Sequence, residues 1–293
     1  MKYFHGENRS GPYFEGWYFK CQTRDGHSLA LIPAMHICED GQKSASIQVI
    51  TEDDAWWVEY PASSFTASPD SLCIQIGGNS FLEEGLLLDI EREGLSLHGR
   101  VSFGPFQFLK SDIMGPFRWL ANMECAHSVI SLEHSLQGRL EMNGQTLDLN
   151  GGTGYIEGDR GRSFPTTYLW TQCRWRDCSL MLSIATIPLG KHHFTGCICA
   201  VLLHGREYRI ATYRGVRIQQ WSSKGAVLIQ GKYRLEVQLL DQKARPLRAP
   251  LDGDMNRTIH ESLCTKVRYR FWHGKKLLLD HIDDHAGFEY AKN

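Results

Sequence analysis

Apolar and polar residues alternate with a period of two along the whole chain, and this limits its possible folds more than any other feature. Tyr233, Leu235, Val237 and Leu239 alternate with Arg234, Glu236 and Gln238, and Val267, Tyr269 and Phe271 alternate with Arg268, Arg270 and Trp272. Successive side chains of a strand point to opposite faces, so these segments read as strands with two distinct sides. Between such segments fall pairs suited to tight turns: Asp25-Gly26, Asp40-Gly41, Gly77-Gly78, Glu93-Gly94, Gly151-Gly152 and His273-Gly274. Asn143-Gly144 is the pair best suited to a two-residue hairpin, whose two central residues both need positive φ. Only Phe117 to Cys125 reads as helical, after Met114-Gly115-Pro116. The expected class is all-β and antiparallel, with at most short helices.

A displacement that sets Cys21 on Cys173 also sets Asp25 on Asp177 and Trp17-Tyr18-Phe19 on Leu169-Trp170-Thr171. Both segments read as an aromatic strand, a polar turn and a second apolar strand, which predicts a duplicated barrel or sandwich unit. The halves would be residues 1–150 and 151–293, with the seam in Asn150-Gly151-Gly152-Thr153-Gly154. No long linker marks that seam, so the halves are expected to pack closely.

Composition excludes several functions. With 32 Lys and Arg against 33 Asp and Glu, a net charge of -1 offers no broad attraction to phosphate backbones, so nucleic acid is not an expected partner. The longest apolar run, Cys197 to Leu203, is far short of the roughly 20 residues of a membrane-spanning helix. Met1 to Gly6 has no signal-peptide character, and nine cysteines without CxxC spacing read as reduced thiols, so a cytoplasmic location is expected.

Chemistry concentrates in two stretches. Pro12 to Lys20 sets Glu15 among five aromatic rings; as a strand it puts Glu15, Trp17, Phe19 and Cys21 on one face and Phe14, Tyr18 and Lys20 on the other. Glu15 is either an acid kept neutral by burial or the partner of an Arg. The second stretch, Gly154 to Pro165, carries Tyr155, Glu157, Asp159, Arg160 and Arg162 and runs into Tyr168, Trp170 and Gln172. Glu157 and Asp159 suit acid or base roles, or ion pairs with the two arginines. Tyr168, Trp170 and Gln172 share one strand face, where the amide can orient a ligand oxygen while rings pack its apolar part. His281 and His285 lack zincin spacing, so no metal is expected, and neither a nucleophile elbow nor a dinucleotide fingerprint is present.

Phe14 to Lys20 (FEGWYFK), Gly154 to Cys173 (GYIEGDRGRSFPTTYLWTQC), Asn256 to Leu263 (NRTIHESL), Met123 to His127 and Asn143-Gly144 together resemble the tocopherol cyclase family and its bacterial relatives over nearly the whole chain. The resemblance implies two packed lipocalin-like β halves, similar to carotenoid hydratases, around an apolar cavity for a prenyl-type ligand. It also implies protonation of an alkene in a prenylated hydroquinol and capture of the cation by the phenol oxygen, with no cofactor or metal. In that chemistry Glu15, Glu157 and Asp159 are the catalytic candidates, and Trp17, Tyr18, Tyr155, Tyr168, Trp170 and Gln172 bind substrate. The implied partner is an apolar small molecule such as a prenyl quinol, terpenoid or lipid, and a peripheral membrane contact for its uptake is compatible with this. A noncatalytic lipid or isoprenoid carrier would use the same cavity. One departure is Arg160, which stands where the plant-like pattern carries a Trp. Arg160 either points outward, pairs with Glu157 or Asp159, or signals an anionic substrate.

Overall fold

A computed structural model describes residues 2–120, 123–189, 192–241 and 245–292. The chain forms two compact units: unit 1 comprises Met1–Phe108, Cys125–Phe164 and Arg248–Thr258, and unit 2 comprises Leu109–Glu124, Pro165–Leu247 and Ile259–Asn293. Strands dominate both, and the described residues contain short 3-10 turns but no α-helix.

Unit 1 is built from β1 (Tyr13–Gln22), β2 (Ser28–Ile37), β3 (Lys43–Thr51), β4 (Ala55–Pro61), β5 (Phe65–Ala67), β6 (Cys73–Ile76), β7 (Asn79–Leu82), β8 (Gly85–Arg92), β9 (Leu95–Phe103), β10 (Cys125–Met142), β11 (Gln145–Asp148) and β12 (Gly152–Gly161). They form one antiparallel sheet in the order β4-β3-β2-β1-β12-β10-β9-β8-β7-β6-β5, with β11 beside β10. The sheet curls over a single core. Phe19 of β1 meets Phe81 of β7 at 5.2 Å between ring centroids, and Ile47, Val49, Leu88 and Val101 join the same cluster. Burying such side chains stabilises by roughly 1.5 to 3 kcal/mol each, which is why the alternation enforces the register.

The second sheet repeats the plan with β13 (Thr167–Trp175), β14 (Cys178–Leu189), β15 (His192–Leu203), β16 (Arg206–Ala211), β17 (Arg217–Ser222), β18 (Gly225–Gln230), β19 (Tyr233–Leu239), β20 (Arg245–Leu251), β21 (Asp254–His273) and β22 (Lys276–Lys292), all in unit 2 except the Arg248–Thr258 part of β20 and β21. Their order is β16-β15-β14-β13-β22-β21-β19-β18-β17, with β20 beside β21. Its core includes Leu169, Leu180, Leu182, Val201, Tyr269 and Phe271. Reading the two orders side by side makes β13 the counterpart of β1, and β22 the counterpart of β12.

Turn chemistry follows the residues. Asn143 and Gly144 adopt φ of 50° and 78° between β10 and β11, and the six Xaa-Gly pairs fall at strand junctions, with Gly152 opening β12 and His273 closing β21. The division of the chain differs from the 150/151 seam read in the sequence. β12, just past that seam, pairs along β1 and β10 and so completes the first sheet. The helical expectation over Phe117 to Cys125 also differs: a 3-10 turn spans Gly115–Trp119, Cys125 opens β10, and residues 121 and 122 lie outside the described residues.

Two hairpins depend on glycine for a close backbone approach. At Gly85 (φ 149°) and Gly225 (φ 127°), a Cβ would come within 2.0 Å of the Val101 and Val237 carbonyl oxygens respectively. Gly231 (φ 56°) has nothing nearby. Gly225→Ala is therefore expected to lower the urea midpoint far more than Gly231→Ala, whose left-handed conformation alone costs about 1 kcal/mol. Equal midpoints for the two variants would refute the close-approach argument.

Candidate functional site

β1 and β12 lie side by side at the middle of the unit 1 sheet, with Glu15 opposite Arg160, Gly16 opposite Asp159 and Tyr18 opposite Glu157. Opposed residues share a face, so the pleat sorts the candidate residues into two sets. Glu15 and Trp17 stand on the core side with Phe19 and Ile156. Tyr18, Tyr155, Glu157 and Asp159 stand on the other side. Glu15 is therefore back to back with Glu157 and Asp159 rather than together with them.

On the core side, Glu15 is 3% exposed. Its Oε2 accepts hydrogen bonds from the His5 amide and the Tyr13 hydroxyl, both at 2.8 Å, and its Oε1 lies 2.9 Å from His5 Nδ1. Burial and the Glu15 charge drive the Tyr13 phenol far above its ordinary pKa, so it remains a donor. Phe4, beside His5, packs on Trp17 and Phe65 at 6.3 and 5.7 Å. Glu15 thus fastens the N-terminal segment across aromatic rings. A small pocket, with room for little more than a water molecule, opens here between Tyr3, His5, Glu15, Trp17, Ile130 and Arg160. Arg160 faces this pocket, and the alternation turns it away from Glu157 and Asp159.

The opposite face carries buried polar groups. Tyr18, Lys20, Tyr155 and Glu157 are all buried, and β10 adds His127 opposite Asp159 and Val129 opposite Glu157. His127 Nδ1 is 2.9 Å from Asp159 Oδ1, and its Nε2 is 3.4 Å from Glu157 Oε2. The Tyr155 hydroxyl donates to the same Glu157 oxygen. Burial by itself would lower the His127 pKa, but the Asp159 and Glu157 carboxylates outweigh it and raise it to about 10. His36, on the same face opposite Phe14, is driven the other way, to about 4, by burial, against a weaker pull from Asp254. One sheet face therefore holds one charged and one neutral histidine. The ligand atoms of His127, Glu157 and Asp159 lie within 4.8 Å of one another, close enough to chelate a divalent cation.

In the sequence, Glu124 and His127 read as a helix-face pair or as an acid with its orienter; in the structure the partner of His127 is instead Asp159. As part of β10, His127 is set by pairing to a strand well along the chain. The alternation of β10 is also broken by register shifts between Val129 and Ser131 and between Ser131 and His134, which blurred the strand signal.

In unit 2, Tyr168, Trp170 and Gln172 share the face of β13 that turns away from the unit's core cluster, and all three are buried. The Tyr168 hydroxyl donates to Glu289 of β22. The Trp170 ring lies over Gly287, where a Cβ would come within 2.8 Å of it. His281 stacks on Trp175 at 4.2 Å. His281 and His285 both lie on β22, and a strand sets residues four apart at roughly 13 Å, so they do not form a chelating pair with each other.

No protein-family model matches the chain, and no curated protein sequence does. Solved structures do. CghA in complex with Sch210972 is similar with a TM-score of 0.60 and 9% identity, covering 96% of this chain and 89% of CghA. Kievitone hydratase from Nectria haematococca gives 0.54 and 9%, over 99% and 93%. A protein assigned as AttH from Nitrosomonas europaea gives 0.52 and 13%, over 98% and 92%. At such identities the likeness establishes the fold: an all-β, lipocalin-like architecture. Among the described residues no helix is long and apolar enough to cross a membrane.

The His127 cluster makes stability depend on pH. Its pKa is about 10 in the folded chain against 6.5 for an unperturbed imidazole, so the folded state holds this proton more tightly. The stabilisation is complete below pH 6.5 and is lost as pH rises through about 10. Urea unfolding should show a free energy that declines across that window, with a shallower decline in His127→Gln. Identical slopes in the two proteins would show that His127 is not held charged.

Proposed function

We propose that this chain is an acid–base enzyme that protonates a carbon–carbon double bond in an apolar, prenylated phenol or related terpenoid, in the manner of a tocopherol cyclase. The observation that carries this reading is the Tyr155–Glu157–His127–Asp159 chain, running from two buried to two partly buried groups on a strand face outside the core. Burying ionised groups costs several kcal/mol per ion before pairing. A carrier of apolar ligands gains nothing from such a device, whereas alkene protonation requires a held proton. The likeness to kievitone hydratase, whose name describes addition of water, supports the same class, because hydration of an alkene also begins with protonation.

In this reading the proton held on the His127 imidazolium, which Asp159 orients through Nδ1, passes through the Glu157 carboxyl to the less substituted alkene carbon. The phenol oxygen captures the tertiary cation, a C–O bond forms, and the phenol proton returns to the Glu157–His127 pair. The net reaction is an isomerisation. The Tyr18 and Tyr155 rings flank the developing cation, where a desolvated aromatic face is worth about 0.5 to 2 kcal/mol. Glu15 has a different task, that of fastening His5 and Tyr13. Exposed Trp119 and Leu120 of unit 2 suit a peripheral contact with a membrane from which such a substrate is drawn.

Incubation with a geranylated hydroquinone in deuterated water is expected to place one deuterium at the newly saturated carbon next to the ring-closing centre. Glu157→Gln should reduce that incorporation by at least ~100-fold, the usual scale of general acid catalysis. Glu15→Gln should leave the incorporation largely intact while lowering thermal stability. Binding of the hydroquinone without deuterium uptake would replace the enzyme with a carrier.

A further inference from the structure

Glu289 is a buried carboxylate to which the reaction outlined above gives no task. It is 7% exposed and sits on β22, on the face turned away from the unit 2 core. Its position in the repeat is specific. In unit 1, Glu157 of β12 stands opposite Tyr18 of β1. In unit 2, Glu289 of β22 stands opposite Trp170 of β13. Trp170 is the residue that falls on Tyr18 when Cys173 is set on Cys21, so the two glutamates occupy the same place in the two sheets.

Each glutamate also takes a hydrogen bond from a tyrosine, and the tyrosines have changed places. In unit 1 the donor, Tyr155, comes from the glutamate's own strand, two residues before it. The matching position in unit 2 is Gly287. In unit 2 the donor, Tyr168, comes from the neighbouring strand, and its matching position in unit 1 is Gly16. The hydroxyl–carboxylate pair is thus present in both halves although tyrosine and glycine are exchanged between strands. A carboxylate needed only for packing could be replaced by an apolar residue at little cost or with a gain in stability. Its occurrence with a tyrosine donor in both units points to a group that binds something.

We infer that Glu289, with Tyr168, Trp170 and Gln172, forms a ligand-binding face in unit 2 that accepts a hydrogen bond from a hydroxyl group of an apolar molecule. It rests on the reading above only for the class of ligand. A carboxyl oxygen accepts a hydrogen bond from a hydroxyl, whereas an ether has no proton to offer it. The Trp170 ring, kept flat over Gly287, and the Tyr168 ring receive the apolar part. Gln172 can both donate and accept, and so orients the ligand oxygen.

Calorimetric titration of the full-length chain with a geranylated hydroquinone and with its dimethyl ether tests this. The wild type should prefer the hydroquinone by about tenfold or more, the scale of a hydrogen bond to a charged group. Glu289→Gln should lose that preference while binding the ether as the wild type does. A preference left intact in Glu289→Gln overturns the inference. Should that variant fail to fold, Trp170→Phe gives a second route. The fluorescence difference between wild type and Trp170→Phe should be quenched by the hydroquinone, and an unquenched difference also overturns the inference. Neither readout needs turnover. Absence of deuterium uptake with these binding effects intact would therefore refute the proposed reaction and leave the binding face standing.

Discussion

A strand buried on both faces must satisfy two different environments with one alternating sequence, and the rest of this molecule is arranged around that constraint. Of the ten residues in β1, all but Gly16 and Gln22 are buried. Only one of its faces belongs to the hydrocarbon core, with Trp17, Phe19 and Cys21. The other face holds Tyr18 and Lys20 beside Tyr155 and Glu157 of β12. Leaving a buried donor or acceptor unpaired costs about 1 to 3 kcal/mol, and more if it is charged. The polar groups on that second face therefore have to find one another, and this forces the close chain from Tyr155 to Asp159.

The two histidines on that face show how strongly neighbours decide the outcome. His36 is buried and His127 largely so, yet His36 hydrogen-bonds the Ser46 hydroxyl at 2.9 Å and is held neutral, while His127 lies between two carboxylates and is held charged. Burial acts in the same direction on both, and the adjacent acids reverse it only for His127. Environments that drive like groups apart are how a protein assigns acid and base roles. Glu15 illustrates the opposite case. Its company of Tyr13 and His5 makes it a fastening for the chain's first residues, although its sequence neighbours are among the most aromatic in the protein.

What was written in the sequence was whatever is encoded locally. Asn143-Gly144 specified its hairpin because few other pairs tolerate two positive φ values in succession, and the alternation in Tyr233–Leu239 specified a two-faced strand. The match of Cys21 with Cys173 anticipated two sheets of the same order. Pairings between distant strands were not legible. His127 meets Asp159 only because β10 lies beside β12, and no local pattern contains that register. The irregular steps between Val129 and His134 further removed the period that would have identified the first part of β10 as a strand, although its end at Gly138–Met142 was legible. Exchange of Arg248–Thr258 into unit 1 was hidden for the same reason, since nothing in its composition distinguishes it from the strands of unit 2.

The interchange of Tyr155 and Gly287, and of Tyr168 and Gly16, bears on how far the two halves can converge. A tyrosine at position 287 would drive its Cβ to 2.8 Å from the Trp170 ring, and a side chain at position 16 would meet the Ala34 Cβ at 3.2 Å. Introducing either side chain alone therefore requires Trp170 or Ala34 to give way. Each half thus keeps its hydroxyl donor on a different strand of the central pair. A perfectly symmetric descendant of this chain would have to repack around Trp170 before it could regain its hydroxyl donor.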